Sequence, residues 1–92
     1  MKKGDLVISK KGRDRDKVLV ITETDEMFVW LCDGTLRKQD KPKKKKKKHV
    51  KETGCSDSRL CEKMAKGMKL TNADFRKAIL DYMSANGQDI KS

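Results

Sequence analysis

The chain has 92 residues, of which 24 are Lys or Arg and 14 are Asp or Glu, for a net charge of +10. That length holds one small domain with extensions and excludes two; with 35% hydrophobic residues and four aromatics the core must be thin, because a domain of this size buries only about 60–65% of its unfolded surface. No apolar run approaches the ~18 residues that crossing a bilayer requires, and residues 1–20 hold no apolar signal segment, so a soluble, cytoplasmic protein is expected.

Residues 6–9 read as a first strand, and Val18–Thr24, rich in β-branched residues, as a second. Between them lies a loop made almost wholly of charge: Lys10, Lys11, Gly12, Arg13, Asp14, Arg15, Asp16 and Lys17. A polar turn at residues 24–26 leads to a third strand over 27–32. Asp33-Gly34 is a strong hairpin signal, because both turn positions must tolerate φ > 0, and it predicts a short returning strand at Thr35, Leu36 and Arg37. Residues 41–48 are lysine, interrupted only by Pro42. The six consecutive lysines from Lys43 are expected to repel one another and to stay extended and mobile until bound. His49-Val50 would add the last strand that closes the sheet.

Residues 51–70 form a connector, polar over 51–57 and containing Gly54; residues 58–68 are ambiguous in pattern, a short helix before Gly67 being one reading. Thr71 is a good N-cap, and Asp74 at the third helical position completes a capping box. Leu70 and Phe75 fit a hydrophobic staple around that cap. Phe75, Ala78, Ile79, Tyr82 and Met83 follow helical spacing, and Asn86-Gly87 supplies the stop, so an amphipathic helix is expected over 71–86. Its apolar stripe is expected to dock on the sheet; the alternative is a helix that binds a partner.

The charge is unevenly spread. Residues 1–36 hold seven basic and seven acidic side chains and residues 52–92 carry +1, whereas residues 37–51 hold ten basic residues and one acid. The arm over 37–51 therefore holds nearly all of the excess. Within the first 36 residues, 1–17 carry +4 and 18–36 carry −4. A sheet that folds these pieces together would present a basic face joined to a basic arm, which suits a polyanion.

The strand, charged loop and strand over residues 4–21 resemble the KOW motif of ribosomal and transcription-elongation proteins. They look like the small bacterial KOW-containing RNA-binding proteins that are similar to eukaryotic-type large-subunit ribosomal proteins. The resemblance covers residues 1–50. It implies a mainly β fold, a small SH3-like antiparallel barrel that includes the basic arm, followed here by the connector and the C-terminal amphipathic helix. KOW loops usually carry a second glycine, at the position that Asp16 occupies in this chain; Asp tolerates φ > 0 better than most residues. The RNA contacts that the resemblance implies fall on Lys10, Lys11, Gly12, Arg13 and Arg15. Charge adds Arg37, Lys38, Lys41, Lys43, Lys44, Lys45, Lys46, Lys47, Lys48 and His49 as further RNA-binding candidates.

Together these readings give an RNA-binding protein that is not an enzyme and is associated with ribosomal RNA of the large subunit. Phe28 and Trp30 share strand parity and so one side of the third strand, with one expected in the core and the other partly exposed. Recognition of structured RNA by shape and backbone is therefore expected ahead of a stacking platform. No Ser/His/Asp, Cys/His or paired-carboxylate constellation occurs, and no cofactor or small-molecule substrate is expected. Cys32, Cys55 and Cys61 are odd in number and suggest no disulfide framework. His49, Cys55 and Cys61 are too irregularly spaced for a zinc site. Membrane binding lacks an apolar anchor beside the lysines. An adaptor that binds an acidic protein through the sheet edge or the C-terminal helix is the alternative of a different class.

Overall fold

The computed structural model describes residues 1–86. Strands β1 (Asp5–Ser9), β2 (Val18–Thr24), β3 (Phe28–Cys32), β4 (Lys43–Lys46) and β5 (Val50–Ser56) form one antiparallel sheet in the order β4-β3-β2-β1-β5. Helices α1 (Ser58–Ala65) and α2 (Asn72–Ala85) follow, and a 3-10 turn over Lys47–His49 links the two edge strands. No ladder joins β4 to β5 among the described residues, so the sheet stays open in its hydrogen bonding. No helix among the described residues is long and apolar enough to cross a membrane.

Strand alternation gives the sheet two apolar faces. Val7, Leu19, Ile21, Val29, Leu31 and Val50 form one buried cluster. Leu6, Val18, Val20 and Cys32 point the other way and form a second with Leu60 of α1 and Phe75 and Ala78 of α2. A bulge between Ile21 and Glu23 shifts the β2–β3 register. The helices thus supply the cover that the second face needs, which is why α2 docks as its spacing predicts. Its capping box is formed: Thr71 Oγ1 accepts from the Asp74 N–H, and Asp74 Oδ2 accepts from the Thr71 N–H. Lys63 of α1 bonds the same Asp74 carboxylate at 3.1 Å. Gly87, the second half of the predicted stop, lies outside the described residues.

Three expectations are corrected. Residues 35–37 form no strand, because the Asp33 carboxylate accepts the N–H groups of both Thr35 and Arg37 and curls the chain into a loop. That loop seats on α2: the Gly34 carbonyl accepts from Arg76 at 2.6 Å. Gly34 has φ +81°, and a Cβ there would collide with the Asn72 carbonyl oxygen. The lysine run is no mobile arm: residues 43–46 pair with β3 in register, Lys45 opposite Val29 and Lys43 opposite Leu31. The polar connector is a strand as far as Ser56, paired with β1, and Thr53 Oγ1 donates to the Leu6 carbonyl across that pair. Its polar composition follows from its place at the sheet edge, with one side in water.

Phe75 is 1% exposed and sits at the centre of the helix–sheet cluster. Phe75→Ala should lower the unfolding free energy by about 3–5 kcal/mol, read as a reduced urea midpoint with an unchanged m-value.

Candidate nucleic-acid interface

The β1–β2 loop is locked by its own backbone. Arg15 N–H donates to Gly12 O, Lys17 N–H to Asp14 O, and Asp16 N–H to Ser9 O at 2.8 Å. Asp16 has φ +70°, in the left-handed region that Asp tolerates better than most residues. A loop closed in this way leaves Lys10, Lys11, Gly12, Arg13 and Arg15 exposed. It is also tied to the turn after β4, since Lys10 N–H donates to His49 O at 2.8 Å.

Beneath the loop lies a buried ion pair. Lys45 Nζ is 2.9 Å from Asp14 Oδ1, and both side chains are over nine-tenths buried. The same ammonium donates to Ser9 Oγ at 2.9 Å and to the Lys11 carbonyl at 2.6 Å, so all three of its protons are taken. In a flat sheet β4 and β1 would lie about 14 Å apart, at roughly 4.8 Å per strand step. A lysine that reaches from one to the other therefore marks a strongly curled sheet. Burial pushes the Asp14 carboxyl up, but hydrogen bonds from Lys45 and Ser9 and the Lys45 charge outweigh it and hold the group below its ordinary value. Lys45 belongs to the framework, and its assignment as an RNA-contacting residue is withdrawn.

The alternation of β4 sorts the remaining lysines. Lys44 and Lys46 pair with Trp30 and Phe28 and share their outward side. Both aromatics are partly exposed, contrary to the expectation that one would enter the core, and neither packs against either buried cluster among the described residues. Lys44 Nζ stands 4.3 Å from the Phe28 ring centroid and 5.5 Å from that of Trp30. A shallow hollow brings together Lys11, Gly12, Phe28, Lys44, Lys46 and His49. A neighbouring one brings Arg37, Lys38, Lys41, Lys43 and Lys44 together with a single carboxylate, Asp40, and Arg13, Lys17 and Arg37 share a third with Asp14 and Asp33. Lys48 is exposed and Lys47 partly so. Loop and lysine segment thus form adjoining parts of one basic surface.

His49 registers that field. Desolvation and then the charges of Lys11, Lys48, Lys46 and Lys45 lower its pKa, so the free protein holds it neutral at neutral pH. Sequence reasoning missed Ser9 and Asp14: their roles depend on a lysine 36 and 31 residues away, and no local pattern signals that pairing. The cysteines are free, and burial, followed by the Asp33 charge, pushes the Cys32 thiol up to about 11. No cluster of His, Cys, Asp and Glu among the described residues could hold a metal ion. No protein-family model matches the chain, and no curated protein is significantly similar to it.

Lys45→Met should cost about 3–5 kcal/mol at neutral pH, because it strands a buried carboxylate, whereas Lys46→Met should change stability by no more than about 0.5 kcal/mol. In the parent protein the lowered Asp14 pKa contributes stability that is full above the ordinary Asp value and is lost as pH falls through the lowered one. In Lys45→Met both lowering effects of Lys45 are gone, leaving the Ser9 and backbone hydrogen bonds against burial, so Asp14 protonates more readily than in the parent and the deficit should shrink between neutral pH and about pH 4. Urea unfolding of both proteins across that range reads the difference.

Proposed function

We propose that this chain is a non-enzymatic RNA-binding protein of the KOW type, an SH3-like barrel that binds structured ribosomal RNA of the large subunit in the cytoplasm. The observation that carries the reading is the union of the charged loop with the lysine strand. The Lys10–His49 backbone bond and the Lys45–Lys11 contact hold the two segments side by side. Lys11, Lys44, Lys46 and His49 border one hollow, Arg37, Lys38, Lys41, Lys43 and Lys44 the next, and Arg13 and Arg37 a third; Lys10, Arg15, Lys47 and Lys48 lie on the same two chain segments and complete the set of cations in this reading. Most are lysines, which suits point-charge contact with phosphates rather than bidentate readout of bases. Backbone contacts of this kind select RNA by helix shape. The sequence resemblance supplies the barrel type and the ribosome; charge supplies the polyanion.

A second reading has its own observation. Leu36 and Leu80 are 70% and 64% exposed and, with Val18, Ile79 and Met83, line an apolar groove between the β3–β4 loop and α2. An adaptor could use that groove. Nuclease treatment separates the two: it should release the protein from its complexes if RNA holds them and leave a protein partner bound if the groove does.

Charge reversal of Lys10, Lys11 and Arg13 should weaken binding to a structured ribosomal RNA fragment far more than reversal of the exposed Lys66, Lys69 and Lys77. Equal losses would sink the loop assignment. If about five cations neutralise phosphates, log K should fall with log salt at a slope of about −4. On a ribosome gradient the tagged protein should migrate with large subunits at low salt and leave them after ribonuclease.

Phosphate placed beside His49 would reverse the sign of its surroundings. Its pKa should rise on RNA binding, so that binding takes up a proton and affinity increases as pH falls through the ordinary histidine range. Imidazole NMR shifts of His49, followed against pH with and without RNA, give both values, and an unchanged pKa would place the RNA elsewhere.

A further inference from the structure

We propose that Phe28 and Trp30 form a stacking site for an unpaired base of the bound RNA, next to the surface that holds its phosphates. The inference rests on the RNA-binding reading above and adds a chemical class to it: a helical RNA flanked by single-stranded nucleotides. The two rings stand on the same side of β3, partly exposed and outside both buried clusters. The apolar core therefore does not account for their position. Residues two apart on a strand are separated by about 6.8 Å, two stacking steps of about 3.4 Å, so the pair can receive one base between the rings or two successive bases upon them.

The charges around the rings select the occupant. Lys44 and Lys46 lie directly opposite Trp30 and Phe28, and Lys11 and His49 border the same hollow. A ligand that complements this surface needs a flat π-face joined to a repeated anion, which is what a single-stranded nucleotide segment presents. In the free protein the Lys44 ammonium lies near both ring faces, 4.3 Å and 5.5 Å from their centroids. A cation–π contact at an exposed site is weak, so an entering base displaces the ammonium, which then meets the phosphate next to that base.

Trp30 is the only tryptophan, so its fluorescence reports on this site alone. The test uses the full chain and three RNA probes: a blunt duplex, the same duplex with a tail of adenosines, and the same duplex with an abasic tail of equal phosphate count. The adenosine tail should bind about tenfold more tightly than the abasic tail, at the lower end of what stacked bases contribute, and it alone should quench Trp30 strongly. Phe28→Leu should abolish most of that tenfold while leaving blunt-duplex affinity unchanged, and Phe28→Tyr should restore it. Equal affinity for the two tails, with both bound, would overturn the stacking site and leave the phosphate-binding reading standing. Failure to bind any of the three probes would overturn both.

Discussion

The fold turns on one buried contact, the Lys45 ammonium against the Asp14 carboxylate. It connects an edge strand to the β1–β2 loop across the open side of the sheet, where no backbone ladder does so among the described residues. Its geometry is what a buried charge requires: three acceptors for three ammonium protons, two of them, Ser9 Oγ and Asp14 Oδ1, themselves joined by a hydrogen bond. Among the described residues Asp14 Oδ2 is buried without a partner. The network fixes β4 as the strand that reaches the loop, but it does not choose the register, because sliding β4 by one residue would bring Lys44 or Lys46 inward in place of Lys45.

Alternation also resolves how one run of six like charges can belong to an ordered sheet. Inward Lys45 meets a carboxylate, and outward Lys44 meets two aromatic faces. Lysine has little intrinsic preference for strands, and here tertiary partners override that weakness one residue at a time. Edge-strand lysines serve a second purpose, since their charge opposes edge-to-edge pairing with other chains. β4 exposes its outer backbone edge in this way without presenting an apolar strand.

Local patterns carried the sequence reading of β1, β2, β3 and α2. β-Branched runs, a polar turn, a capping box and helical spacing each act over a few residues, and the chain follows them. What escaped was non-local. β4 looks like a solvated tract because nothing near residues 43–46 shows that Asp14 awaits one of them. Residues 35–37 look like a returning strand because the turn signal does not reveal that the Asp33 side chain will take their N–H groups. The site was half legible for the same reason: its cations could be counted in the sequence, but which were free depended on the register of β4. The outward face of Phe28 and Trp30 depended on it too.

A fixed rack of cations differs in its thermodynamics from a mobile arm. An arm loses chain entropy when it binds, about 1–2 kcal/mol for each residue whose backbone becomes ordered, and that loss offsets much of its electrostatic gain. Residues 43–46 are already ordered in the sheet, so folding has met that cost in advance. The same arrangement holds like charges together, and their mutual repulsion opposes folding. A polyanion that settles on this surface removes the repulsion without having to order the chain. Binding and folding are then linked in one direction: any ligand with phosphate spacing that fits the rack stabilises the native sheet by mass action. The strength of that coupling is set by β4, because the strand that carries the charge is also the strand that Lys45 and Asp14 hold in place.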